Sequence, residues 1–288
     1  MASHDIAGLE HTVLQYGDHA LQRIGIWQHP QAELSSDPSC PWIVFIHGGG
    51  WRDPRNSLYD FVPSIKHVLS STTTSTPPPP IRGFASIDYR LSPHPLFPQD
   101  PAATPPAELR AAKHPDHLDD VRSAIALLAS RYRVGTYILI GHSAGATLAY
   151  QPFMAPDAAP HIPTPVPAGI IGIAGVYDLT GLCARKDGYE GFIGGAFGDR
   201  AAWDAASPAK FRGSFAGALA GGAHVSVLAA SPADSLVDMP ELEAMLEKLR
   251  GDGVDVVAVR DLTGEHDQIW QEGTQVANLV IDMLNRLS

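Results

Sequence analysis

The stretch "TYILIGHSAGATLAY", residues 136–150, decides how the rest of this chain is read. "TYILI" is short, apolar and β-branched, as a buried strand is, while "ATLAY" returns to helical spacing. Between them "GHSAG" sets Ser143 two residues from Gly141 and two from Gly145. A strand that reverses tightly into a helix leaves no room for neighbouring side chains, so glycines flank the turn. Such a turn lifts Ser143 above a sheet and places the N–H of Ala144 at a helix start, where negative charge is favoured. In that strand–turn–helix setting the serine occupies a nucleophile's position.

A serine hydroxyl is a weak nucleophile near neutral pH, so a base must take its proton and a carboxylate must orient that base. This kind of turn is followed in chain order by the acid and then the histidine. After the apolar run "AHVSVLAA" (223–230) come Asp234 and Asp238. Asp238 directly precedes "MPELEAMLEKL" and reads as that helix's N-cap, which leaves Asp234 as the acid. The chain has 13 histidines, but His266 alone lies C-terminal to Asp234, so order selects it as the base. Asp267, adjacent to His266 in sequence, reads as a helix cap and not as its orienting partner.

A second stretch, "FIHGGGWRDP" (45–54), ends an apolar run in His47, then Gly48, Gly49 and Gly50, then Trp51. No regular element chooses three glycines for its own stability. Attack on a carbonyl creates an oxyanion, and the turn's own N–H cannot hold it alone. Bare backbone after an early strand supplies the remaining donors: the N–H groups of Gly49 and Gly50 are expected to converge with that of Ala144. His47 is expected to brace this loop by hydrogen bonding. Neither G-x-G-x-x-G nor G-x-x-x-x-G-K-[ST] occurs here, which argues against a phosphate cradle.

The chain has 288 residues and is 44 % hydrophobic, enough for one large α/β domain spanning 1–288. Its net charge of −11 argues against a phosphate-tracking, nucleic-acid-binding protein and leaves room for a cation-rich pocket in an acidic molecule. Cys40 and Cys183 match neither a zinc knuckle nor a CxxC, and read as free thiols of a reducing compartment. "MASHDIAGLEHTV" lacks a basic then apolar leader, and no window suits a membrane span; a cytoplasmic protein is expected, without metal or organic cofactor.

Apolar runs at 41–47, 81–89, 136–141, 168–176, 223–230 and 254–260 read as strands buried on both faces, and runs near 12–16 and 21–27 suit an antiparallel start. Helical patterns fall at 114–132, 143–150, 239–251 and 267–287, so a mostly parallel sheet of about eight strands flanked by helices is expected. Segments rich in Pro, Ser or Thr at 70–80, 92–115 and 155–167 read as surface connections. In such sheets ligands collect beyond the carboxyl ends of the strands, where all the residues above fall.

"HGGGW" with "GHSAG" and "IDYRLSP" (87–93) resembles the α/β-hydrolase superfamily, in particular its hormone-sensitive-lipase-like branch. More narrowly, "HGGGWRDPRNSLYDF" is similar to the HGGxW motif of fungal kynurenine formamidases, and "FGDRAAWDAASPAKF" (197–211) fits the same branch. The resemblance runs from about residue 40 to the end. It implies an α/β-hydrolase fold and hydrolysis of N-formyl-L-kynurenine to formate and L-kynurenine. Since the acyl part is only a formyl group, selectivity is expected on the leaving-group side. Trp51 is either a ring contact or core packing. Residues 180–211 are either a small lid carrying Tyr189 and Phe192, with Arg185 or Lys186 facing a carboxylate, or a surface excursion. Two other classes share the sequence features: a broad carboxylesterase, and a binding protein on a hydrolase scaffold, which usually loses one of the three residues retained here as Ser143, Asp234 and His266.

Overall fold

The computed structural model describes residues 4–30, 40–71, 80–154, 164–220 and 224–288. The connections expected within 72–79 and 155–163 lie outside them. One sheet runs through the molecule: β1 (Glu10–Gln15), β2 (Arg23–Gln28), β3 (Trp42–Ile46), β4 (Gly83–Ile87), β5 (Tyr137–His142), β6 (Gly169–Ile173), β7 (Val225–Ala229) and β8 (Asp255–Val259). Their spatial order is β1-β2-β4-β3-β5-β6-β7-β8, with β1 and β2 antiparallel and the remaining strands parallel. The eight strands match the eight apolar runs.

The helices are α1 (Val62–Ser71), α2 (Asp116–Tyr132), α3 (Ala144–Tyr150), α4 (Leu179–Arg185), α5 (Glu190–Phe197), α6 (Trp203–Ala206), α7 (Phe215–Ala218), α8 (Met239–Gly251), α9 (Gln268–Glu272) and α10 (Thr274–Leu287). Alternation along the strands divides the core in two. Ile43, Phe45, Ile138 and Ile140 face α1 and α10 with Ile65, Val276, Val280 and Met283, whereas Val44, Ile46 and Leu139 face α2, α3 and α8 with Val121, Leu148 and Leu246. A helix as short as α10 is marginal alone; each buried aliphatic side chain contributes about 1.5–3 kcal/mol, so packing and not propensity holds it.

Four features differ from the pattern-based expectation, the first being α1, which no helical pattern covered and which takes in residues 70–71 of an expected surface connection. The helix expected over 267–287 breaks at Gly273, whose φ is 74°, because α1 approaches so closely that an added Cβ would lie 2.5 Å from Ser64 N. β8 is an edge strand, only partly buried despite its apolar run. Residues 180–211 form α4 to α6, and Leu182, Ile193, Phe197 and Trp203 enter the main core, so the segment is packed into the body of the protein. Cys40 and Cys183 are both free thiols.

The sheet order explains where a ligand can sit. From β3 the chain moves to one side to make β4, then crosses to the other side of β3 to make β5. Loops leaving neighbouring β3 and β5 therefore diverge, and this opens a crevice at their carboxyl ends. Two glycines let the β5 turn close there: a Cβ on Gly145 would lie 2.2 Å from Ile46 O, and one on Gly141 would lie 2.2 Å from Gly145 O. Gly145→Ala is therefore expected to lose at least about 3 kcal/mol of stability in urea unfolding, since only backbone can yield. Gly195→Ala in α5, where a Cβ meets nothing within 4 Å, is the control and should change stability by less than about 1 kcal/mol.

Candidate active site

Ser143 stands at the tip of the β5–α3 turn with φ 54° and ψ −121°, a conformation that non-glycine residues avoid. Its N–H donates to Ile173 O at 2.9 Å, which ties the strained residue to β6. Ala144 begins α3, so its N–H is among the helix-start donors without a partner inside the helix.

The loop after β3 abuts this turn. A Cβ on Gly48 would lie 3.0 Å from Ser143 Cβ, so the first glycine touches the serine. Gly49, Gly50 and Trp51 all adopt positive φ, at 86°, 56° and 61°. Gly49 O accepts from Arg52 N at 3.1 Å and Asp53 N at 2.9 Å, closing the loop on itself. Its carbonyls are turned inward: Tyr89 Oη donates to His47 O and Gly48 O at 3.1 and 3.0 Å, and His47 Nδ1 donates to Gly48 O at 3.0 Å. His47 also stacks on Tyr89 and faces Asp88 through Nε2 at 3.5 Å.

Beneath the loop, Asn56 Nδ2 donates to Asp60 at 2.8 Å, while Asn56 Oδ1 fills the space beside Gly49. Burial pushes the Asp60 carboxyl from its ordinary 3.8 up to about 6, against the opposing pull of His47 and Asn56. Sequence reasoning missed Asp60, Asp88 and Tyr89 as supports; for Asp88 and Tyr89 the signal was "DY" directly after β4, while Asp60 lies in "SLYDF" (57–61).

Asp234 and His266 meet as a buried pair, His266 Nδ1 to Asp234 Oδ2 at 2.6 Å. Asp234 Oδ1 accepts from Leu236 N and Val237 N at 2.8 and 2.9 Å. Burial alone would raise the Asp234 carboxyl, but the bond and charge of His266 and these two N–H groups outweigh it and hold it below the usual range. The two loops are joined twice more, by Ser231 Oγ to Gly264 O at 2.7 Å and Ser235 N to Glu265 at 3.0 Å. His142, the variable residue of "GHSAG", bonds His266 O through Nε2 at 3.2 Å and lies 4.6 Å ring to ring from it. Burial first, then His266, keeps His142 far below its ordinary pKa, so it is a neutral spacer between the serine turn and the histidine loop.

Other candidates fall elsewhere. Asp238 sits at the start of α8, yet its carboxylate takes Arg185 Nε at 2.8 Å and makes no backbone cap. Asp267 likewise makes no backbone cap and accepts from Trp270 Nε1 at 3.1 Å. Arg185 is spent on Asp238 and Glu241, and Lys186 donates to Ser235 O at 2.8 Å, so neither awaits a carboxylate. Trp51 is fully buried and packs edge-on to Phe197, which makes it core. Tyr189 Oη is tied to Leu236 O at 2.8 Å on the acid loop, and its ring meets Phe192 at 5.0 Å. Phe192 stays half-buried, 3.5 Å from where a Gly50 Cβ would be. Beside it opens a cavity of about 550 Å³ lined by Arg52, His94, Phe97, Arg110 and Gly191 among several prolines. Among the described residues no cluster of His, Cys, Asp or Glu forms a metal site, and no helix is long and apolar enough to cross a membrane.

A strained serine on a strand–helix turn, a buried Asp–His pair and a glycine loop on a mostly parallel sheet define an α/β-hydrolase-fold hydrolase. Solved structures share the fold: a hormone-sensitive lipase from a metagenome library (17 % identity, TM-score 0.64, 98 % of this chain and 86 % of that one). So does carboxyl esterase 2 of Tuber melanosporum (15 %, TM-score 0.67, 99 % and 88 %). No family model matches the sequence. Curated relatives narrow the class. A kynurenine formamidase of Aspergillus versicolor, avaC, is 36 % identical over 80 % of this chain and 84 % of its own length. A kynurenine formamidase-like hydrolase of Fusarium equiseti, fscH, is 36 % identical (92 % and 90 %), and a kynurenine formamidase of Meyerozyma guilliermondii 30 % (94 % and 93 %). The chain belongs to the kynurenine formamidase family.

Asp60 gives the site a pH signature. A carboxyl raised from 3.8 to about 6 on folding weakens the folded state as pH climbs from about 4 through 6. Asp60→Asn, which keeps an acceptor for Asn56, should be more stable than the native chain by up to about 3 kcal/mol at pH 7. The advantage should vanish below about pH 4, as urea midpoints measured across that range would reveal.

Proposed function

We propose that the protein hydrolyses N-formyl-L-kynurenine to L-kynurenine and formate, a step from tryptophan toward NAD, with Ser143 as nucleophile, His266 as base and Asp234 as its orienting acid. The observation that carries this is the 2.6 Å bond of His266 Nδ1 to Asp234, with the His266 ring 4.6 Å from that of His142, the residue that precedes the strained Ser143. With Nδ1 committed to the carboxylate, His266 Nε2 is the face left to take the Ser143 proton. The formyl carbon is attacked, and the oxyanion is held by N–H groups of Gly49, Gly50 and Ala144. His266 then protonates the anilide nitrogen, whose lone pair is delocalised into the ring and which leaves more readily than an alkyl amine. Water activated by His266 releases formate from the formyl-serine. The steps need only the protein's own groups and a small-molecule substrate, and the cytoplasm is the proposed compartment.

The curated relatives' names support the formamide, while an esterase would use the same machinery. The discriminating measurement is kcat/KM for N-formyl-L-kynurenine against p-nitrophenyl acetate. A preference of a hundredfold, about 2.7 kcal/mol of transition-state binding, is expected for the formamide. The reverse preference makes the protein an esterase. Ser143→Ala, with an unchanged unfolding midpoint, and His266→Ala, with a lowered one because Asp234 is left buried without its partner, should each lower kcat by roughly 10⁴ or more, and near-native rates in either would end the assignment.

A further inference from the structure

The cavity beside Phe192 is walled by arginines that lack acids. Arg23, Arg55, Arg90, Arg185 and Arg260 each sit in an ion pair. Arg52, half-buried on the cavity wall, forms none among the described residues. Its guanidinium lies over the Phe192 ring, 5.2 Å from the centroid. Asp53, the acid whose charge acts on it, is clamped by Arg55 Nε at 3.0 Å and Nη2 at 2.6 Å. Arg110 faces the same space and spends Nη2 on Phe97 O at 2.6 Å, a neutral partner. A partly desolvated cation without a counterion is costly to keep and marks a place where an anion is received.

This wall is joined to the chemistry on two sides. Arg52 N donates to Gly49 O, so the arginine's backbone is locked to the glycine loop that touches Ser143. On the other rim Arg55, stacked over Phe97 at 5.4 Å, feels the charge of Asp267, the neighbour of His266. In a molecule of net charge −11 the local cations must also offset long-range repulsion of an anionic ligand.

We propose that this cavity is the leaving-group subsite, and that Arg52 receives the free α-carboxylate of the amino acid head while the aryl ring rests against Phe97, the phenyl ring that lines it. The assignment rests on the formamidase reading above and replaces Arg185 and Lys186, which are already paired, as the carboxylate's partner. The guanidinium fork matches a carboxylate in two parallel hydrogen bonds, which a lysine ammonium cannot reproduce.

Calorimetric titration of the full chain with L-kynurenine and with L-kynurenine α-carboxamide tests this without relying on turnover. The native protein should bind the acid roughly tenfold or more tightly than the carboxamide, given the strength of a charge-assisted pair. Arg52→Gln should abolish that difference, and Arg52→Lys should restore only part of it. In turnover of N-formyl-L-kynurenine, the loss in Arg52→Gln should fall on KM and not on kcat. Equal binding of acid and carboxamide by the native protein, binding of neither, or equal weakening of both by Arg52→Gln overturns the subsite. The formamidase reading fails separately: a chain that binds kynurenine through Arg52 yet does not cleave the N-formyl compound keeps the anion subsite and loses the reaction.

Discussion

The close approach of Gly145 to the carbonyls of Ile46 and His47 is the constraint on which the site depends. It presses the end of β5 against the end of β3, where a side chain would meet backbone at 2.2 Å. Only in that packing can Ser143 remain at φ 54°, because the strain is held by the strands on either side and by its own bond to Ile173 O. The same approach brings Gly48 against Ser143 and so brings the glycine loop up to the serine turn. The geometry of the candidate site follows from two backbone segments that are allowed to touch.

Around that contact the protein keeps its ionisable groups busy. Asp88 holds Arg23 and faces His47, Asp120 holds Arg90, and Asp234 holds His266. Glu241, buried and pushed up to about 7 by that burial, still accepts from Tyr177 N and Asp178 N at 2.6 and 2.7 Å and pairs with Arg185. That network docks α4 onto α8, and it explains why the cations of the 180–211 segment serve the scaffold. Arg52, on the wall of the cavity next to the glycine loop, forms no ion pair among the described residues.

Much of the fold was legible because its signals are local. The strands are short apolar runs whose two-residue alternation divides two cores, and the sheet is mostly parallel because helices intervene. Boundaries failed where a neighbour intruded, as at Gly273 against α1, and where neighbour number mattered, as at β8, which is an edge. The helices α1 and α4 to α7 went unseen; α4 to α7 are short and gain their order from the core they enter.

Sequence alone singled out Ser143 by its flanking glycines, and Asp234 and His266 by their order along the chain, since backbone demand and chain order are written locally. Tertiary structure brought Asp234 and His266 together at 2.6 Å, drew Trp51 against Phe197 in the core and paired Arg185, because partners from 32 to 146 residues apart in sequence meet only after folding. Among the described residues it also left Arg52 without an ion pair, its guanidinium over the Phe192 ring. Whether a charge is free depends on every acid that folding brings near it, and no local pattern carries that information.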